Sequence, residues 1–134
     1  MALLPSEKLG GGTDIELLAS DELTLVQQSA SAEYKYAAYG NDKSIQSLDN
    51  YRYLILTVAA KQGNNTWFQF GSVMGTVQDF ITGTFFSDFI FNVMQNNQTY
   101  MNRPQAVYKS KTSVALQMYS GASGDYKVNL YGIK

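Results

Sequence analysis

The side chains best suited to catalysis are scarce in this chain, because it contains neither His nor Cys. The absence of His removes the commonest general base and the commonest transition-metal ligand. The absence of Cys removes thiolate nucleophiles, disulfides and thiolate metal sites. Proton transfer would have to depend on Lys, Tyr, Ser or the 11 carboxylates, and we consider the carboxylates first. The candidates for a paired-carboxylate hydrolase are Glu33, Asp42, Asp79, Asp88 and Asp125.

Asp88 is the most notable of these carboxylates because it stands inside an apolar segment. Facing inward, it would have a raised pKa and would suit a general acid. We favour the alternative, in which the pleat of the strand turns Asp88 to solvent. The acidic pairs Asp14/Glu16 and Asp21/Glu22 lack the spacing of an EF-hand calcium loop. The sequence therefore predicts a chain without catalytic residues, cofactor or metal.

Binding residues are easier to nominate than catalytic ones. Trp67 is the only Trp, and it follows Asn64 and Asn65 closely. An exposed aromatic ring can stack on the apolar face of a sugar while neighbouring amides bind its hydroxyls. These three residues form one candidate contact with a glycan or a partner. The alternative is a Trp packed in the core or at the edge of a hairpin.

A second candidate contact is the pair Tyr34 and Tyr36, in a segment that continues to Tyr39. The spacing of two residues places the first two rings on one face of an extended strand. Such a stripe suits an interface with a partner or a glycan. The alternative is a strand whose outer face is aromatic without binding anything.

The amino-acid composition argues against some classes of binding partner and favours others. Only 16% of residues are charged, the net charge is −1, and both signs are scattered along the chain. Duplex nucleic acid requires a basic stripe, so we expect no nucleic-acid partner. No apolar run approaches the length of about 20 residues that spans a membrane, and the N-terminus does not resemble a signal peptide. The 10 Tyr and 7 Phe suit sheets and protein interfaces.

The hydrophobic pattern predicts a single all-β domain over residues 14–134. Short alternating or apolar runs, about eight in number, are separated by turn signals, which favours an antiparallel β-sandwich or jelly roll. Residues 14–19 are expected to form one helical turn at most. The predicted strands cover residues 23–28, 43–48, 51–60, 67–70, 85–95, 99–101, 113–119 and 126–133. The predicted core comprises Leu54, Ile55, Leu56, Val58, Phe70, Phe89, Leu116, Val128 and Leu130.

Residues 1–13 are predicted to form an N-terminal arm. Leu3, Leu4 and Leu9 are apolar, and Gly10–Gly12 provides a flexible hinge before the domain. Three leucines are too few for a core of their own. We expect them to anchor the domain on a neighbouring subunit or another protein, the alternative being that they fold back on their own domain.

Two segments carry a resemblance to known proteins. Residues 47–56 (SLDNYRYLIL) and residues 131–134 (YGIK), after an early strand of ELTLV type, resemble a small β-sandwich domain of bacteriophage and prophage virions. That domain occurs in tail-fibre, baseplate and head-fibre proteins. The resemblance covers roughly residues 20–134, and it transfers no functional residue because these domains share no binding or catalytic motif.

The resemblance implies a non-enzymatic virion structural protein, assembled in the host cytoplasm and commonly trimeric. We expect a homotrimeric tail-fibre or baseplate component that contacts the host surface, with host polysaccharide as a further partner and no insertion into a membrane. A capsid-attached head-fibre or decoration protein is one alternative. A free carbohydrate-binding module is another, and a small hydrolase comes last.

Overall fold

The chain forms two antiparallel β-sheets packed face to face, which confirms the predicted β-sandwich. The computed structural model describes residues 14–28, 34–62, 66–83, 91–95 and 98–134. The arm of residues 1–13, with Leu3, Leu4 and Leu9, lies outside them. So do Glu33, Phe89, Asp88 and the turn residues Gly63, Asn64, Asn65, Asn96 and Asn97.

The described residues form ten strands, one short α-helix and one turn of 3-10 helix. The strands are β1 Ile15–Thr24, β2 Val26–Gln27, β3 Tyr36–Tyr39, β4 Lys43–Ser44, β5 Tyr53–Gln62, β6 Thr66–Thr76, β7 Phe91–Gln95, β8 Gln98–Ser110, β9 Ser113–Ser120 and β10 Asp125–Ile133. The 3-10 turn is Leu48–Asn50, and α1 is Val77–Ile81.

The strand order shows which strands pair in each of the two sheets. The four-stranded sheet has the order β1-β10-β5-β6, and the larger sheet has the order β2-β3-β9-β8-β7, with β4 also paired to β9. Among the described strands, β6 pairs only with β5, and a bulge near Ala59 interrupts that pairing. Strand β10 lies between β1 and β5, so it joins elements far apart in sequence.

The core lies between the sheets and follows the period of two expected of half-buried strands. Val114, Leu116 and Met118 of β9 are fully buried, and so are Val128 and Leu130 of β10. Leu54, Leu56 and Val58 contribute from β5, as predicted, and Phe70 packs against this core while remaining partly exposed.

Several core side chains were not in the predicted core, among them Phe80 and Leu48. Phe80 is 2% exposed and Leu48 is fully buried. Phe80 belongs to α1, and Thr76 caps this helix by accepting a hydrogen bond from the backbone of Asp79 at 3.1 Å. The ring of Phe80 packs edge to face on Tyr108, with the ring centres 5.8 Å apart.

Three sequence predictions are wrong in detail. Residues 15–19 are strand rather than a helical turn, because β1 pairs with β10 from Ile15 to Thr24, with one register shift between Leu17 and Ala19. The run 43–48 is strand only at Lys43–Ser44, after which Ser47 caps the 3-10 turn. Ile55 is only partly buried and faces outward, because its neighbours Leu54 and Leu56 occupy the inward positions of the pleat.

The two segments that carry the resemblance meet in space. Tyr51 follows the 3-10 turn and is 6% exposed, with its ring against Gly132 of β10. Its hydroxyl donates to Glu16 Oε1 at 2.6 Å, and Lys134 lies 3.2 Å from the other carboxylate oxygen. The hydrogen bond from Tyr51, and then Lys134, lower the pKa of Glu16. Tyr51 therefore connects the start of β1 to the end of β10.

A buried polar network closes the opposite end of the sandwich. Ser120 of β9 is fully buried and donates to Asn102 Oδ1 at 2.6 Å, while its hydroxyl lies 3.0 Å from that of Tyr126. Tyr126 in turn donates to the carbonyl of Ala122 at 3.0 Å. Burial raises the pKa of Tyr126. Because Ser120 and Tyr126 belong to different sheets, the network fixes their relative position.

Candidate functional site

The candidate site is the outer face of β3, β9 and β8, where alternate residues point away from the core. The pairing of β8 with β9 sets Arg103 opposite Tyr119 and Gln105 opposite Gln117. The pairing of β3 with β9 brings Tyr39 opposite Gln117. We call this set, together with Tyr34, the aromatic platform: Tyr34, Tyr39, Arg103, Gln105, Gln117 and Tyr119.

Two rings of the platform contact the same guanidinium group, and the ring of Tyr119 packs on the other two rings. The Arg103 guanidinium carbon lies 5.5 Å from the ring centres of both Tyr34 and Tyr119. Tyr119 also meets Tyr34 edge to face at 6.3 Å and Tyr39 at 5.7 Å. Cation–π and edge-to-face contacts of this kind stabilise a single arrangement of the side chains.

Two amides continue the arrangement along the strands. In one orientation the Gln105 amide forms hydrogen bonds with both Arg103 and Gln117. Its oxygen then accepts from Arg103 Nη2 at 2.9 Å and Nε at 3.1 Å, and its nitrogen donates to Gln117 Oε1 at 3.3 Å. Tyr119 donates to the same oxygen of Gln117 at 3.4 Å. The platform is therefore a connected set of donors and acceptors on one face of the sheet.

The phenol of Tyr119 keeps its proton at ordinary pH. Burial, followed by the hydrogen bond with Tyr39, raises the pKa of Tyr119 to about 12, although the positive charge of Arg103 acts in the opposite direction. The hydroxyl of Tyr34 is buried and makes no hydrogen bond within the described part of the chain. Tyr39, by contrast, is 53% exposed and presents its ring to solvent.

The platform includes one of the predicted site residues and leaves out the others. Tyr34 belongs to it, but Tyr36 packs against the core, with the Lys35 ammonium 5.8 Å from its ring centre. Trp67 lies on the four-stranded sheet, where Lys127 Nζ is 4.5 Å and Lys61 Nζ is 5.8 Å from its ring. The two predicted contacts thus lie on different sheets.

Sequence reasoning missed Arg103, Gln105, Gln117 and Tyr119. A signal existed for two of them, because Gln117 and Tyr119 alternate with the buried Leu116 and Met118 and must face outward. Nothing in the local sequence of β8 brings Arg103 to Tyr119, because that contact depends on the register between two strands.

The carboxylates nominated for catalysis do not converge among the described residues. Asp42 is exposed beside Lys109 at 3.8 Å, and Asp125 accepts from Thr24 at 2.7 Å. Asp79 is exposed in the first turn of α1. No group of three His, Cys, Asp or Glu residues suited to a metal occurs in the described part of the chain.

An open cleft of about 640 Å³ lies between the start of β1 and residues 44–46. Its ionisable lining residues are Glu16 and Tyr51, which already bond to each other. The cleft therefore brings no free pair of acid and base together.

Over the same described residues, no helix is long and apolar enough to cross a membrane.

Comparison with known proteins gives no assignment. No family model, no curated protein and no solved structure matches this chain.

Proposed function

We propose that this chain is a non-enzymatic structural component of a bacteriophage virion, a trimeric part of the tail fibre or baseplate that contacts the host surface. The observation that carries the contact role is the aromatic platform. It combines an exposed ring, a guanidinium group in contact with two rings and two connected amides on one face of the sheet. This chemistry suits the sugars of a host envelope polysaccharide, which offer apolar ring faces and many hydroxyls.

The donors on the platform remain available to a ligand. A guanidinium group has five N–H bonds, and Gln105 accepts two of those of Arg103. The remaining N–H groups can donate to sugar hydroxyls or to the carboxylates of acidic sugars. Because the platform is braced by its own contacts, little side-chain entropy is lost when a ligand binds.

The virion setting is supported by the resemblance of residues 47–56 and 131–134 to phage domains. Tyr51 and Gly132, one from each segment, pack directly on each other. The two segments therefore act as one packing unit, which gives a physical reason for their occurrence together in such domains.

A binding assay tests the contact role. The full chain and two variants, Arg103→Ala and Tyr39→Ala, are titrated against polysaccharide extracted from the host envelope. We expect each variant to weaken binding at least tenfold, while Lys109→Ala, an exposed change on the same sheet, leaves it unaltered. Equal binding by all four proteins would remove the platform from the proposed function.

Immunogold labelling of purified particles tests the location. Label on the tail tip supports the proposal, whereas label on the head identifies a head-fibre or decoration protein.

The platform also favours a second function, that of a free carbohydrate-binding module. Polysaccharide binding by a monomer that is absent from particles would establish that alternative.

A further inference from the structure

We propose that an apolar patch on the outer face of the four-stranded sheet is the docking site for the N-terminal arm of a neighbouring copy of this chain. The inference rests on the proposed function in one respect, since it takes the chain to work as a closed trimer. It adds where the arm binds and what holds the subunits together.

The apolar patch consists of two neighbouring rows of side chains that run across the sheet. In the first row Ile15 pairs with Ile133, Ile133 with Tyr53 and Tyr53 with Thr76. In the second row the sequence of partners is Leu17, Tyr131, Ile55 and Met74. All four strands contribute to both rows, so the patch is continuous.

The patch is open to solvent among the described residues. Met74 is 59% exposed, Leu17 is 56% exposed and Tyr53 is 41% exposed. None of its apolar members belongs to the core between the sheets. Large apolar side chains that are exposed together, rather than singly, mark a surface that another molecule covers.

The composition of the face changes sharply beyond these two rows. The third row is polar, with Ser20, Asn129, Thr57 and Ser72 in register. Glu22 and Lys127 pair in the fourth row. An uncharged centre bordered on one side by polar and charged residues has the anatomy of an interface.

The size of the patch favours an extended peptide as its occupant. Strands lie about 4.8 Å apart, so the patch extends about 15 Å across the sheet, the length of roughly five extended residues. A stable contact between two globular surfaces requires about 800 Å² from each partner, which is more than two rows of side chains supply.

The arm has the length, position and chemistry that the patch requires. Thirteen residues precede Asp14, and they include Leu3, Leu4 and Leu9. The chain joins the domain beside the patch, because the carbonyl of Asp14 accepts from the backbone of Lys134 at 2.9 Å. Asp14 lies ten positions after Leu4, a span that can extend about 33 Å, which allows the arm to reach another subunit.

Ring closure favours the arm of a neighbour over the arm of the same chain. In a trimer with threefold symmetry, each contact joins two different surfaces, one from each subunit. The patch and the arm are two such surfaces on one chain. Repeated around the ring, the same contact is made by every subunit and leaves no patch uncovered.

Disulfide trapping tests the proposal without interference, because the natural chain has no Cys. Leu4→Cys and Met74→Cys are made as separate full-length variants, refolded together and oxidised. We expect a covalent dimer that contains one chain of each kind. Leu4→Cys refolded with Lys109→Cys, which lies on the other sheet, serves as the control and should give at least tenfold less dimer.

Two other results would overturn the inference. If the double variant Leu4→Cys/Met74→Cys closes a disulfide within one chain while mixtures of the single variants give no dimer, the arm covers its own domain. If neither pairing forms, the arm does not occupy the patch. Light scattering on the natural chain tests the trimer separately, so a trimer without trapping would reject the docking site and leave the proposed assembly in place.

Discussion

The ring of Tyr51 lies directly on the backbone of Gly132. A Cβ atom at position 132 would lie 2.6 Å from Cδ1 of Tyr51, closer than two carbon atoms can approach without displacement. Position 132 therefore requires Gly because the ring of Tyr51 leaves no room for a side chain there, and not because the backbone makes a turn. The contact joins the segment before β5 to the end of β10.

Gly132→Ala is expected to destabilise the domain by about 1–3 kcal/mol, because the added methyl group overpacks a buried ring. Chemical denaturation measures the loss. In the double variant Tyr51→Ala/Gly132→Ala, the loss should be smaller than the sum of the two single losses, because the clash has been removed. Additive losses would show that the two residues do not interact.

Stability should fall at alkaline pH because the folded state holds phenolic protons tightly. Burial, and then the hydrogen bond to Glu16, raise the pKa of Tyr51 from 10.0 to about 12, and Tyr119 is raised to the same value. A raised pKa contributes stability below pH 10 that is lost as the pH rises towards 12. Denaturation measured at pH 9, 10 and 11.5 follows the loss. Tyr51→Phe should lose less stability over that interval, and an equal loss would contradict this origin.

Arg103→Gln should raise the pKa of Tyr119 above its natural value, because the guanidinium charge 5.5 Å from the ring favours the phenolate. Absorbance of tyrosinate near 295 nm, compared between variants, measures the change. Lys109→Gln removes an equal charge from the same sheet and is the control. If the two variants titrate alike, Arg103 does not lie on Tyr119 in solution.

Leu116→Ala should cost about 2–5 kcal/mol, since it leaves a cavity between the sheets. Ile55→Ala should cost about 1 kcal/mol or less, because this side chain faces outward and is only partly buried. Thermal or urea unfolding of both variants compares them. Similar losses would mean that the outer face is covered within the isolated subunit.

No hydrolysis of host polysaccharide is expected from the purified chain. Release of reducing ends over a long incubation is the measurement, with Asp79→Asn as the test variant. Asp79 is the nominated carboxylate that lies in the first turn of a helix, where it is exposed. Turnover by the natural chain that Asp79→Asn abolishes would contradict a non-enzymatic function.

The sequence predicted the strands whose burial alternates most regularly. The interior positions of β9 and β10, with Leu116 and Val128 among them, follow from a period of two alone. The same rule failed for Ile55, because a run that is apolar on both faces does not reveal which residues point inward. Phe80 escaped prediction because a helix of five residues is too short to show a period.

The candidate site was less predictable than the fold. Tyr34 was nominated from its spacing, but its partners Arg103 and Tyr119 depend on the pairing between strands distant in the chain. Tyr36 was nominated by the same spacing and turned out to pack inward. Local pattern specifies which residues are aromatic, whereas tertiary pairing decides which of them form a surface.

The position of β10 has a consequence for synthesis of the protein. β1 has β10 as its partner in the four-stranded sheet, with Ile15 paired to Ile133. On the ribosome, the first strand must therefore wait until residues 125–133 have emerged before it can pair. A nascent chain that stops short of them leaves β1 and β5 without the strand that joins them, so we expect chains that lack β10 not to form the four-stranded sheet.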